Sequence, residues 1–296
     1  MVTVQRGDEV RGVSRAARAG GARVALVPTM GCLHEGHLEL VRAAKGLAGL
    51  TVVSIFVNPT QFGPGEDFDR YPRALERDAA LLRAEGVDVL FAPPVEEMYP
   101  PGFGTFVNVE RLAEPLCGAR RPGHFRGVAT VVAKLFHAVE PDVAVFGEKD
   151  YQQLQVIRRM VTDLQMPVTV VGVPTVREAD GLALSSRNTY LTGPEREQAL
   201  GLHRALERAQ GLMDAGEERP EALEEAARGV LEAAGLRVDY AEVRHPETLE
   251  RMDRAAPRAL LALAAYAGQT RLIDNRVLVA PGVGEGGGGP AACPNG

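Results

Sequence analysis

Val24-Ala25-Leu26-Val27-Pro28-Thr29-Met30-Gly31-Cys32-Leu33-His34-Glu35-Gly36-His37, followed by Leu38-Glu39-Leu40-Val41-Arg42-Ala43-Ala44-Lys45, decides how the rest of this chain is read. Val24–Val27 is an apolar run with the length of a buried strand, and Leu38–Lys45 has the pattern of a helix. A glycine-containing turn joins them. Strand, turn and helix N-terminus together make a ready anion site, because unpaired backbone N–H groups and the helix dipole both face the ligand. His34 and His37, at i and i+3 in the opening turn, are predicted to share one face of that helix. Gly36 between them carries no side chain and leaves room for a flat base against the backbone.

From the residues alone, other uses of this stretch stay open. His-Glu-Gly-His is one residue short of the zinc-protease spacing, which needs histidines at i and i+4. Both histidines can also be ordinary helix-end residues. Cys32 reads as a small packing residue rather than a nucleophile, since a reactive thiol needs an activating base and exposure.

Outward from this stretch, strand-like and helix-like segments alternate through the first 175 residues. Thr51–Val57, Val87–Phe91 and Val143–Phe146 are short, apolar and valine-rich, as buried parallel strands should be. After Gly127 the apolar residues Val128, Val131, Val132, Leu135, Phe136 and Val139 fall at helical spacing. The alternation predicts an α/β fold, a Rossmann-like doubly wound parallel sheet whose ligands bind beyond the carboxyl ends of the strands. Polar or glycine-containing segments follow three of these strands: Pro28–His37, Asn58-Pro59-Thr60-Gln61-Phe62 and Gly147-Glu148-Lys149-Asp150. They predict one crevice.

After Val168–Val173 and Pro174 the character changes. Residues 194–234 form two amphipathic helices separated by Gly216 and Pro220, and Arg237–Val243 and Ala259–Ala267 resemble strands. The predicted organisation is a nucleotide-binding domain over 1–175, a smaller α+β domain over 176–281 that closes over the site, and a glycine-rich disordered tail over 282–296. Gly282–Gly287 matches the dinucleotide fingerprint letter for letter, but no helical pattern follows it, so it is a decoy.

Composition excludes several classes. The 296 residues carry a formal net charge of −6, which argues against nucleic acid as a partner. Three cysteines, Cys32, Cys117 and Cys293, are odd in number and far apart, so neither a disulfide framework nor a zinc knuckle is suggested. Residues 1–23 lack the apolar core of a signal peptide, and no apolar run approaches twenty residues. The expected location is the cytoplasm, with no membrane contact.

Three further segments carry chemistry. Gly147–Gln153 enters a helix through a charge cluster. There Lys149 can meet a phosphate, Asp150 can cap the helix, and Gln153 lies at i+4 from Lys149. Leu184-Ser185-Ser186-Arg187-Asn188 supplies two hydroxyls and a guanidinium near the predicted domain boundary, where a flap could close. Arg121-Pro122-Gly123-His124-Phe125 is a basic loop, equally readable as an anion contact or a surface turn. Gln61 and Gln153 are neutral amides, suited to a hydroxylated carboxylate.

Taken in order, Pro28–His37, Asn58–Phe62, Arg121–Phe125, Gly147–Gln153, Leu184–Asn188 and Gln269-Thr270-Arg271-Leu272-Ile273-Asp274-Asn275 resemble the pantothenate synthetase (pantoate–β-alanine ligase) family over about residues 1–280. Cys32 stands where that family usually has alanine, and the glycine-rich tail is extra. The resemblance implies a nucleotidylyl-transferase core that condenses pantoate with β-alanine, using ATP and Mg²⁺, through a pantoyl adenylate. It implies an ATP site of Met30, Gly31, Cys32, Leu33, His34, Glu35, Gly36, His37, Gly147, Glu148, Lys149, Asp150, Val176, Leu184, Ser185, Ser186 and Arg187. His34, His37, Lys149 and Arg187 would serve catalysis, with His37 as the proton donor. Gln61 and Gln153 would hold pantoate, Asp78 would contact magnesium, and the assembly would be a homodimer. Another nucleotidylyltransferase with the same core, acting on a phosphorylated substrate, is the nearest alternative. A nucleotide-binding sensor without turnover is the other.

Overall fold

The computed structural model describes residues 1–283; Cys293 and most of the glycine-rich tail, with the rest of the decoy motif, lie outside the described residues. Two compact units divide the chain: residues 1–148 with 153–174, and residues 149–152 with those from Thr175 onward.

The first unit begins with β1 (Val2–Val4), α1 (Gly7–Ala19), β2 (Val24–Thr29), α2 (Glu35–Leu47), β3 (Leu50–Ile55), α3 (Leu75–Ala84) and β4 (Val89–Phe91). It continues with the short helices α4 (Val95–Met98) and α5 (Cys117–Arg120), then α6 (His124–Val139), β5 (Val143–Gly147), α7 (Tyr151–Asp163, whose first two residues group with the second unit) and β6 (Thr169–Val173). The strands form one parallel sheet in the order β1-β4-β3-β2-β5-β6. β1 has no counterpart among the predicted strands. Three residues at the sheet edge are too few to show a period, and only pairing with Val89–Phe91 makes them a strand.

Alternation of side chains across the sheet separates two apolar layers. Ala25, Val27, Val53, Val143 and Val145 share a core with Leu40, Val41 and Ala44 of α2 and with Ala79 and Leu82 of α3. α1 and α6 pack against each other and against β2. Helices thus flank the sheet in the doubly wound, Rossmann-like arrangement. Its strand order reverses between β2 and β5. There the two strands pair at Ala25↔Val143 and Leu26↔Ala144, while β2 stays paired with β3 as far as Thr29↔Ile55 and β5 with β6 as far as Gly147↔Val173. The sheet therefore parts beyond Leu26 and Ala144, at the switch point where such folds bind ligands.

The second unit holds α8 (Gly193–Asp214), α9 (Pro220–Ala233) and the antiparallel sheet β7 (Arg237–Arg244), β8 (Arg258–Ala267), β9 (Thr270–Val279), in that order. α8 starts with a reciprocal cap in which the Thr192 N–H donates to Glu195 Oε2 at 2.9 Å. Leu202, Leu206, Leu223 and Leu231 of the helices pack on Leu261, Leu263 and Ala265 of β8. No helix among the described residues is long and apolar enough to cross a membrane.

Candidate active site

At the end of β2 the backbone turns through two consecutive left-handed residues, Gly31 (φ 83°) and Cys32 (φ 52°). The second is costly for a residue with a Cβ. Asp78 of α3 holds it. Its carboxylate accepts the Cys32 N–H at 2.7 Å and the Leu33 N–H at 2.9 Å, and the side chain is fully buried. Each oxygen accepts one backbone N–H, and with no exposed surface the side chain offers no open face for the magnesium contact expected of it. It is a clamp beneath the loop. Among the described residues no group of three or more His, Cys, Asp or Glu could hold a metal ion.

The helix after this loop starts at Glu35, earlier than its apolar periodicity indicated, with His34 extended at the N-cap (φ −137°, ψ 174°). Only His37 is therefore inside the helix. The i,i+3 spacing still brings the two rings together, with centroids 4.1 Å apart. The His34 backbone N–H donates to His37 Nδ1 at 3.3 Å. A neutral imidazole that accepts at Nδ1 carries its proton on Nε2, so His37 is a donor at that atom.

Gln61 stands in a short 3-10 turn, Pro59–Gln61, after β3. Its amide has a defined orientation, because Asn58 Nδ2 donates to Gln61 Oε1 at 2.9 Å and to the Gly127 carbonyl at 3.1 Å. Asn58 is itself oriented by Tyr99, whose hydroxyl donates to Asn58 Oδ1 at 2.7 Å, and by Thr60 Oγ1 at 2.9 Å. Burial pushes the Tyr99 hydroxyl pKa up, against the opposing hydrogen bond with Thr60, so it stays protonated as this bond requires. With Oε1 occupied, Gln61 presents Nε2, which donates to Met30 Sδ at 3.3 Å. Thioether sulfur is a weak acceptor, readily displaced by a carboxylate or hydroxyl.

Gly127 makes this network possible. A Cβ there would lie 2.3 Å from the Thr60 carbonyl oxygen and 2.7 Å from the Gln61 nitrogen. A glycine inside an apolar helix costs about 1 kcal/mol relative to alanine, and that misfit was the available signal of a close approach. Tyr99 and Glu66 gave no comparable signal. Arg121, in the basic loop, pairs bidentately with Glu66 at 2.7 and 2.6 Å, so its charge is already compensated. Burial alone would raise the Glu66 carboxyl pKa, but the Arg121 hydrogen bonds and charge outweigh it and hold the group below the usual range. Arg121 also lies 3.1 Å from His124 Nε2, and His124 Nδ1 donates to the Gln61 carbonyl at 2.8 Å. Gln61 is thus held through both its main chain and its side chain.

Gly147 ends β5 and Glu148 follows it in the first unit, and Gln153 lies on α7. Lys149 and the exposed Asp150 occupy a 3-10 turn ahead of α7, which begins at Tyr151. Lys149 therefore lies in the turn that runs into the helix rather than on the helix itself. In the second unit, Val176 and Leu184 close a tight hairpin through the Leu184 N–H donating to the Val176 carbonyl at 3.0 Å. Ser185 caps the following turn, its Oγ accepting the Arg187 N–H at 3.3 Å. Ser186 and Arg187 lie in that turn. The described geometry joins Met30, at the head of the Met30–His37 stretch, to Gln61 at the switch point of the first unit. Lys149, Asp150, Val176 and Leu184–Arg187 belong to the second.

Comparison with known proteins gives the family. The curated pantothenate synthetase of Moorella thermoacetica is 57% identical over 270 residues, 91% of this chain and 95% of that protein. The crystal structure of pantothenate synthetase from Thermus thermophilus superposes with a TM-score of 0.89 at 52% identity, covering 95% of this chain and 100% of the other. A Francisella tularensis pantoate-beta-alanine ligase, crystallised with beta-gamma ATP and beta-alanine, matches with a TM-score of 0.78 at 33% identity, over 94% and 97% of the two chains. A family model described as pantoate-beta-alanine ligase covers residues 2–277, and the chain belongs to that family.

Proposed function

We propose that this chain condenses pantoate with β-alanine at the expense of ATP, giving pantothenate, AMP and pyrophosphate through a pantoyl adenylate. The observation that carries this reading is the donor arrangement at the switch point. A histidine pair stands at a helix N-terminus, with His37 Nδ1 occupied and Nε2 carrying the proton, and a glutamine oriented to offer an N–H meets Met30 of the loop that leads into that helix. Membership of the ligase family supports it, as does the Francisella relative crystallised with beta-gamma ATP and beta-alanine.

A carboxylate is a poor acyl donor toward an amine. In the proposed sequence a pantoate carboxylate oxygen attacks the α-phosphorus of ATP and pyrophosphate leaves. The β-alanine amine then attacks the activated acyl carbon, sheds a proton and expels AMP. Charge grows on phosphoryl oxygens in the first step, and preorganised donors aimed there lower its barrier. His34 and His37, with Lys149, Ser185, Ser186 and Arg187, supply those donors. Met30–Leu33, Gly147–Asp150, Val176 and Leu184 complete the ATP contacts. Gln61 Nε2 and Gln153 hold pantoate. Magnesium enters with ATP, carried by the phosphates as part of the substrate, which accords with its preference for phosphate and water ligands over an all-protein cage. A homodimer and a cytoplasmic location complete the proposal, and sedimentation of the purified chain tests the first.

A reaction on a phosphorylated substrate would want a cation beside Gln61. Arg121, which joins that network, is taken up by Glu66. The deciding measurement is ATP–pyrophosphate exchange with and without pantoate, followed by product formation on adding β-alanine. Exchange should require pantoate. Equal exchange without it would overturn the assignment.

A further inference from the structure

Gln269–Asn275 resembles the family's last motif but has no role in the chemistry above. It opens β9, and two of its neighbouring residues reach the two phosphate-donor segments of the second unit. Asp274 is buried, 2% exposed, and its carboxylate takes Arg177 in two parallel hydrogen bonds of 2.7 and 2.9 Å. Arg177 also donates to the Gly181 carbonyl at 3.0 Å, tying together the hairpin that runs from Val176 to Leu184. That hairpin leads directly into Ser185–Arg187, and Asn188 Nδ2 donates back to the Ala183 carbonyl at 3.1 Å. The next residue of β9, Asn275, sends Nδ2 to the Lys149 carbonyl at 2.8 Å. Its own backbone N–H donates to Asp274 Oδ1 at 2.8 Å, which couples the two grips. Successive side chains on a strand point to opposite faces, so adjacent residues can hold two separate segments.

We propose that Asp274 and Asn275 are positioning residues, fixing Ser185–Arg187 and Lys149 from one strand so that their cationic groups are preset for the phosphates of ATP. The inference rests on the ATP-dependent reading above. Two physical points favour positioning over bulk stability. A buried carboxylate–guanidinium pair is seldom more stabilising than apolar residues of the same volume, because both charges lose their hydration. A bidentate Arg–carboxylate pair, by contrast, fixes direction as well as distance. Lysine and arginine side chains are long and flexible, so presetting their backbone reduces the ordering cost at binding.

The test compares three full-length proteins: wild type, Asn275→Ala, and the double variant Asp274→Leu with Arg177→Met. The double variant removes both buried charges and so avoids the misfolding expected when one is left alone. ATP binding is measured by calorimetry without turnover, and steady-state constants are measured for all three substrates. Each variant should bind ATP about ten-fold more weakly, on the scale of one lost directional hydrogen bond. KM for pantoate and β-alanine should stay within about two-fold, and the melting temperature within a few degrees. ATP affinity within two-fold of wild type in both variants overturns the proposal, as does an equal loss for all three substrates. If wild type binds ATP but makes no product, the functional reading falls and calorimetry still decides the positioning role. If wild type binds no ATP, both fall.

Discussion

In the first unit, His34, His37 and Gln61 stand beyond the carboxyl ends of parallel strands, where reversal of the strand order between β2 and β5 opens the sheet. In the second, Lys149 and Ser185–Arg187 lie outside the antiparallel sheet; Asn275 ties Lys149 to it, and the Asp274–Arg177 pair ties the hairpin that leads into Ser185–Arg187. The one places its groups by main-chain topology and refines them with short polar networks. The other relies on side-chain pairs. A parallel sheet with helices on its faces leaves polar backbone only at the strand ends, so ligands gather there. A three-stranded antiparallel sheet covered by helices has no such switch point, and its outlying loops need side-chain anchors.

The sharpest way to break this contrast is to remove a donor that topology alone supplies. His37→Ala should slow adenylation by about 10²–10³, or 3–4 kcal/mol, the scale of one preorganised donor. Attack of β-alanine on supplied pantoyl adenylate should suffer much less, since pyrophosphate has already left. Single-turnover rates for the two halves decide it, and equal losses would make His37 part of the scaffold.

Asp78→Ala comes next in size. It leaves the part-buried Cys32 N–H and the buried Leu33 N–H without their acceptor, in a loop with two left-handed residues. Stability should fall by about 2–3 kcal/mol, within the cost of unsatisfied buried donors. Omitting magnesium should leave the melting temperature of wild type unchanged, because Asp78 serves backbone rather than an ion. A melting temperature that rises strongly with magnesium alone would restore the metal role.

Tyr99→Phe sharpens the account of Gln61. It keeps the ring against Phe56 and Phe103 and deletes only the hydroxyl that orients Asn58. Loss of the hydroxyl's hydrogen bond to Asn58 and its contact with Thr60, about 1 kcal/mol in all, should lower kcat/KM for pantoate about five-fold and leave ATP constants in place. A matching loss for ATP would mean that the network supports the whole crevice.

The smallest effect concerns Glu66 and Arg121. The folded-state pKa of Glu66 is depressed, so its contribution is present above the ordinary glutamate value near 4.3 and is lost as pH falls through the lower folded value. Hydrogen exchange in residues 62–73 should quicken as pH drops below about 4 relative to the intrinsic rate. Glu66→Gln should remove that added pH dependence. Unchanged behaviour in the variant would show that the pair does not hold the segment.

The alternation of apolar runs and periodic helices is local information. It was enough for the parallel sheet, the strand–turn–helix at Val24–Lys45, the two helices after Thr192 and two strands of the small sheet. Motif order along the chain was enough for the family. Helix starts were less legible. His34 caps α2 instead of lying within it, and Lys149 falls in a 3-10 turn, because both depend on φ and ψ at one residue.

What the amino-acid order determined by itself was the fold class and the segments that carry chemistry, since a period of two or 3.6 residues repeats within a few turns of chain. What only the tertiary structure decided was how those segments are held. Asp78 meets Cys32 across 46 residues, Tyr99 meets Asn58 across 41, Glu66 meets Arg121 across 55, and Arg177 meets Asp274 across 97. A single buried pair at such separations leaves no period in the sequence. Each partner is an ordinary polar residue until the core brings it out of water, where an unmatched charge or amide costs too much to leave unpaired.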